Sequence, residues 1–172
     1  MRMKQCKGPF RAYYVTDDGL VFGPRGKPIK VYTTTKGGHQ FVYLKRYGLG
    51  DAVIKQVHRL MAFAFKLHNP RPDVFGLVDH IDRDPANNTL SNLRWSNKQL
   101  NGLNTDAYGA SFHIVMKKWQ SRVHIGGEQN ILGYYNCSRP AHLAAKAFRL
   151  AAHDRIYQEL VDEGPQHLEF LP

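Results

Sequence analysis

Between residues 12 and 46 short runs of alternating apolar and polar residues are broken by glycine- and aspartate-rich turns, a pattern that predicts antiparallel strands. The runs are AYYV, LVFG, KVYTT and HQFVYL, and Asp18-Gly19 and Gly37-Gly38 are the turn pairs expected to fold them into a small meander. At 55–67 the period becomes helical: Val57, Leu60, Met61, Ala64 and Phe65 line one stripe, and Asn69-Pro70 and Pro72 end it. Next, LVDHI and NLRW read as short strands around a polar loop rich in Asp and Asn. A helix then starts near Ser96, an expected N-cap with Gln99 completing a capping box. Strict alternation returns in ASFHIV, WQSRVHI and NILGYY. It leads into a helix entered through Ser138, with Pro140 in its first turn and Ala144, Ala147, Phe148 and Ala151 as its stripe. The fold class predicted is α+β, in three modules: a β-rich one over 1–54, a ββα unit with its preceding helix over 55–106, and a three-stranded antiparallel sheet packed on one helix over 107–172, ending in an acidic tail.

A chain of 172 residues that is 42% hydrophobic folds, so a disordered basic tail is excluded. Cys6 and Cys137 make neither a disulfide framework nor the paired knuckles of a structural zinc site, which points to a reducing compartment. No apolar run approaches the roughly 18 residues of a membrane span, and the first residues lack a signal-peptide core, so a cytoplasmic protein without membrane contact is expected. With 24 Lys and Arg against 14 Asp and Glu the net charge is +10, which favours a polyanionic partner. The distribution sharpens this. Residues 1–70 carry 13 basic and 3 acidic side chains, 71–106 carry 4 and 5, 107–155 carry 7 and 2, and 156–172 carry none and 4. Two basic regions thus flank a slightly acidic one, as expected of DNA-facing modules around a metal-binding site.

The residues suited to chemistry collect in that acidic stretch: Asp79-His80, Asn92, Asn97 and Asn101. Phosphodiester hydrolysis needs a base for water, a divalent cation, and oxygen ligands for the cation. An imidazole titrates near neutrality and suits the first task. Asp79 is a hard donor suited to magnesium, and an amide oxygen from the following helix would add a second ligand. Neighbours on a flat strand point to opposite faces, so the strand must end or twist at this pair for both to serve one site.

The run LVDHIDRDPANNTLSNLRWSNKQLN resembles the HNH nuclease motif as found in phage and intron-encoded homing endonucleases. The resemblance implies His80 as general base, Asp79 as first metal ligand, Asn92 as the asparagine that bonds the loop and holds the histidine, and Asn101 as helix ligand, with Asn97 one turn earlier as the alternative. Asparagine at the last position departs from the histidine of other members and favours a single Mg2+, or Mn2+, over zinc. Arg94 is either a phosphate contact or half of a structural ion pair, Trp95 belongs to the core, and Asp82 and Asp84 are solvated or capping groups. His58 reads as a packed histidine.

The N-terminal meander resembles the β-rich segment preceding the motif in the same endonucleases, with Lys30, Lys36, Lys45 and Arg46 among the expected phosphate contacts. Residues 109–156 resemble the ethylene-response-factor (Apetala-type) DNA-binding domain, through Gly109-Ala110, Lys118-Trp119, Arg122-Val123 and Leu132-Gly133-Tyr134-Tyr135. Alternation puts Gln120, Arg122 and His124 on one face, which the resemblance makes the DNA face, with His113 at a further reading position that is usually Arg. The implied function is homing-type endonuclease action on double-stranded DNA, without an obligate protein partner, by a monomer that nicks or a dimer that cuts both strands. If phage-encoded, it acts in the cytoplasm of a bacterial host. The alternative is a non-catalytic DNA-binding protein or regulator with a relic HNH unit.

Overall fold

The computed structural model describes residues 1–163. Its class is α+β, with several small antiparallel sheets and three α-helices among the described residues, as the hydrophobic pattern predicts. The chain divides into two compact units, one of Met1–Asn69 with Gly76–Trp95, the other of Pro70–Phe75 with the chain from Ser96 onward. The expected N-terminal module and most of the motif's strand pair therefore share one unit. Residues 164–172, part of the acidic tail, lie outside the described residues.

In the first unit, β1 (Met3–Gln5), β2 (Tyr14–Thr16) and β3 (Val21–Phe22) form one antiparallel sheet, and β4 (Tyr32–Thr33), β5 (Gln40–Lys45) and β6 (Ala52–Gln56) form a second. The expected single meander is thus two sheets. β1 and β6 are additions: β1 is exposed throughout, and β6 occupies residues whose helical spacing overlapped a strand's. Helix α1 (Val57–Ala64) accordingly begins at Val57 rather than at 55. It packs against β2, β5, β6 and β7 (Leu77–His80), burying Val57, Leu60, Met61 and Ala64 with Val15, Val42 and Leu44. β7 pairs with β8 (Leu93–Ser96). Trp95 on β8 donates its indole N–H to the Leu67 carbonyl at 2.9 Å and meets Phe63 edge-on, the core role expected of it.

Glycine shapes how the two hairpins meet the loop that follows β7. Gly19, at φ +92°, lies so close to Asn88 that a Cβ would stand 2.8 Å from the Asn88 Cβ, and Gly38, at φ +68°, approaches Pro85 as closely, at 2.9 Å. Both turns therefore buttress the 81–92 loop through positions that only glycine fills without strain.

In the second unit, α2 (Lys98–Leu103) is capped by Asn97, whose side-chain oxygen accepts the Leu100 N–H at 3.0 Å. Ser96, the expected cap, is instead a buried end of β8. Strands β9 (Ala110–His113), β10 (Lys118–Ile125) and β11 (Glu128–Tyr135) form an antiparallel sheet in the order β11-β10-β9. Helix α3 (Ser138–Asp162) packs on it. Its buried stripe is Ala141, Ala145, Arg149 and Ala152, one residue round from the predicted one, and Ala147 and Ala151 face solvent. The alanine-rich sequence offers apolar side chains on both flanks; contact with Val123 and Leu103 selects between them. Cys137 precedes the helix without a side-chain cap bond, and Ser138 is its first residue. Both cysteines are free thiols.

Candidate active site

β7 ends at His80, so the strand stops where the Asp79-His80 pair requires it to. Both side chains are buried. The chain then turns through Arg83, a non-glycine residue at φ +69°, and its amide N–H closes the turn on the His80 carbonyl at 3.0 Å.

Asparagines hold the loop. Asn92 accepts the Asp82 N–H at 3.0 Å and donates to the Asp82 carboxylate and the Asn87 carbonyl, each at 2.8 Å. The Asp82 carboxylate also receives the Asp84 N–H and the Asn87 amide. These bonds, that from Asn92 foremost, hold its carboxyl below the usual carboxylate range. Asp82 is thus the hub of the loop rather than a merely solvated group.

The residue in contact with the histidine is Asn88, which the sequence reading did not single out. Its Oδ1 lies 3.2 Å from His80 Nε2, while its amide nitrogen donates to the Gln40 side-chain oxygen at 2.8 Å and the Ala86 carbonyl at 3.3 Å. Those two donations fix the orientation of the amide, so an acceptor faces Nε2. The amide oxygen thus holds the His80 ring by its Nε2 edge.

Asp79 accepts two bonds on Oδ2 from the Arg94 guanidinium, at 2.9 and 3.1 Å. Of the two roles open to Arg94, the geometry shows the ion pair. A carboxylate has about four acceptor sites, so Arg94 and a cation can share it; the hard donor chemistry of Asp79 fits a divalent ion. Asn101 lies exposed on α2 in the second unit, and Asn97 there is occupied as the cap.

A second group of donors surrounds His80. One ring nitrogen each of His39, His58 and His80 lie within 4.8 Å of one another, and the ring centroids are 5.0–5.7 Å apart. His39 stands just ahead of β5, His58 in the first turn of α1 and His80 at the end of β7. Burial, then the charges of His80, His39 and Arg59, pushes the His58 imidazole down to about 3, and burial with the His80 charge lowers His39. His58 was expected to be packed, and it is buried; its neighbours were not foreseen, because nothing in the spacing of 39, 58 and 80 marks a set.

Among the expected DNA contacts, Lys30, Lys36 and Lys45 are exposed, as are Arg122 and His124. Arg46 is instead bound by Asp51, which accepts both its Nε and Nη2 hydrogens. Gln120 does not face solvent: it is 7% exposed, covered by Tyr134, to whose hydroxyl it donates at 3.1 Å. His113 stacks edge-on against the same tyrosine and closes the adjoining turn by accepting the Met116 N–H on Nδ1. Alternation groups Gln120 with Arg122 and His124, but the cross-strand ring of Tyr134 closes over Gln120.

Residues 55–103 match the family model described as HNH endonuclease. That matched segment holds His58, Asp79, His80, Asn88 and Asn92. The chain is similar to the DNA endonuclease I-HmuI of Bacillus phage SP01, with 35% identity over 103 residues, 59% of this chain and 55% of that protein. Two uncharacterised HNH endonucleases of Acanthamoeba polyphaga mimivirus are also similar. One is 35% identical over 50% of this chain and 21% of its own length, the other 28% identical over 52% and 26%. The chain therefore spans at most about half the length of the relatives it matches. A solved structure described as DNA binding and cleavage by the HNH homing endonuclease I-HmuI aligns with a TM-score of 0.48 at 32% identity, over 59% of this chain and 55% of that one. Among the described residues no helix is long and apolar enough to cross a membrane.

Proposed function

We propose that this chain is a metal-dependent DNA endonuclease of the HNH homing type. The observation that carries the reading is the Asn88–His80 contact inside the HNH-matching segment: it orients the ring of the buried histidine that follows Asp79 in the chain, and the ring's other nitrogen, Nδ1, is the base of the proposed mechanism. Water donates its proton to that nitrogen as its oxygen attacks the scissile phosphorus and the bond to the 3′ oxygen breaks. Asp79 would hold the divalent ion, with Asn101 as the helix ligand that the motif implies. Such an ion, Mg2+ by the hardness of those oxygen donors, would supply charge neutralisation at the phosphate and the leaving oxygen. Asn92 and Asp82 keep the loop closed, so that His80 is held in place before substrate arrives.

Duplex DNA is the proposed substrate and partner. Lys30, Lys36 and Lys45 contact phosphates. The β9–β11 sheet reads DNA in the manner of an ethylene-response-factor domain, through Arg122 and His124. One HNH unit supplies one active site, so a monomer nicks. The test is cleavage of supercoiled plasmid with Mg2+ or EDTA, beside a binding assay. Wild type is expected to yield nicked circles only with metal, and His80→Ala to bind DNA without cutting it. Wild type and His80→Ala equally inert, while both bind, would leave a DNA-binding protein and end the enzyme reading.

A further inference from the structure

The three-histidine cluster asks for an explanation that the hydrolytic reading does not provide. A magnesium-dependent nuclease gains nothing from two extra imidazoles, because nitrogen donors suit borderline ions far better than hard ones. Nor does the cluster look like ordinary core packing. His39 Nδ1 and His58 Nδ1 are both buried with no hydrogen-bond partner, and buried polar atoms normally find one. Two such atoms in rings that lie against each other and against His80 mark a place built for something that accepts lone pairs. The 4.8 Å spread of the donor atoms exceeds the separation of about 3.3 Å between nitrogens on one tetrahedral zinc, where each bond is about 2.0–2.1 Å. Ring rotations that draw each nitrogen inward by about an ångström close that gap. Three imidazoles with an open fourth position is also a ligand set that zinc accepts.

We infer that His39, His58 and His80 form a second metal site, selective for borderline transition ions such as Zn2+ or Co2+, and that its occupation switches off His80 as a base. The inhibitory half rests on the reading of His80 as general base; the binding half does not. Exclusion follows whichever ring nitrogen of His80 is used. An ion on Nδ1 takes the lone pair that would accept the proton from water. An ion on Nε2 displaces the bond to Asn88 and releases the ring from its orientation. Mg2+ at the oxygen site and a zinc-type ion at the imidazole site therefore act in opposite directions on one active site. His39 lies outside the matched segment, at the head of β5, so the device depends on how this chain's N-terminal hairpin is placed.

The experiment titrates the metal-free full chain with Co2+, reading the visible absorption that tetrahedral nitrogen coordination produces, and with Zn2+ by calorimetry, in wild type and His39→Gln. One ion per chain is expected in wild type, undisturbed by excess Mg2+, with affinity lowered at least 10-fold in His39→Gln. If the variant does not fold, 15N-edited spectra of wild type with one equivalent of Zn2+ provide the same information: His39, His58 and His80 alone among the nine histidines should shift. Mg2+-supported plasmid nicking is then measured against added Zn2+, each protein normalised to its own uninhibited rate. Inhibition of wild type at the concentration that fills the site, and resistance of His39→Gln, is the expected result. No Co2+ or Zn2+ binding, equal binding by His39→Gln, or nicking unaffected by a filled site would overturn the inference. Normal binding by a chain that never cleaves DNA would retain the site and remove the nuclease reading instead.

Discussion

Replacing Gly19 by alanine tests whether the first hairpin supports the catalytic loop. Gly19 sits at φ +92°, and the added Cβ would stand 2.8 Å from the Asn88 Cβ and 3.3 Å from the Asn88 carbonyl oxygen. These are backbone and Cβ atoms, so no rotamer change relieves the contact. The left-handed conformation costs an L-residue roughly 1–2 kcal/mol, and forcing apart a packed contact adds about 1–3 kcal/mol. Gly19→Ala should therefore destabilise by about 2–5 kcal/mol, by addition of those two effects. Gly26 provides the control: its φ is +69° and a Cβ there meets nothing within 4 Å, so Gly26→Ala incurs only the conformational part. Denaturant unfolding of the two variants isolates the close approach as the difference between them. If Gly19→Ala folds, it should also cut DNA more slowly than its stability explains, because the displaced residue is the one that orients His80. Equal destabilisation by the two substitutions would refute the claim that the hairpin presses on Asn88.

Asn88→Ala should lower the turnover of DNA nicking by about 10–100-fold, the range for removing an orienting partner, with DNA affinity unchanged; a KM effect alone would contradict the positioning role. Burial keeps His58 neutral in the folded chain, pushed down to about 3, whereas unfolding returns it to its ordinary 6.5. The unfolded state therefore gains protons first as pH falls below 6.5. This group alone should remove about 2 kcal/mol of stability between pH 7 and pH 5. Unfolding of wild type and His58→Gln across that range should converge toward low pH, and parallel curves would count against it. Arg122→Ala should weaken DNA binding and reduce its logarithmic salt dependence by about one unit. Gln120→Ala should leave affinity intact and lose only about 1 kcal/mol of stability with its bond to Tyr134.

The contrast between Arg122 and Gln120 shows where sequence reasoning stops. A period of two assigns both to one face of β10. Whether a residue on that face is reachable depends on the side chain opposite, and Gln120 lies across from Tyr134 in the register of β10 and β11. The helix stripe of α3 held at Phe148, which packs on the core, but its small residues sit at adjacent positions, and only the partner surface chooses which are buried. Boundaries blurred where two periods overlap, as at Lys55 and Gln56, which match a helix's spacing but complete a strand. The polar loop was legible as one rich in Asp and Asn, and Asn92 and Asn97 as candidate site residues. The separate duties of the asparagines were not legible: Asn97 caps α2, Asn92 locks the loop, and Asn88 meets the histidine.

Long-range pairing explains why half of the His80 environment was invisible in its motif. Gln40, which fixes the Asn88 amide, comes from β5, and His39 precedes it; Gly19 and Gly38, which let the hairpins close on the loop, come from turns far upstream. The matched segment over 55–103 contains the histidine, its asparagine and its carboxylate, but not the residues that set the amide's orientation or complete the imidazole cluster. The hairpins were read as surfaces for phosphate, on the strength of their lysines. Their turn glycines and the His39-Gln40 pair give them a second duty that charge does not reveal. They pack against the 81–92 loop, and through His39 they add a donor to the imidazole cluster around His80. A homologue that kept the motif but altered this hairpin should thus retain the base and lose its sensitivity to zinc, which separates the two duties by comparison of chains as well as by substitution.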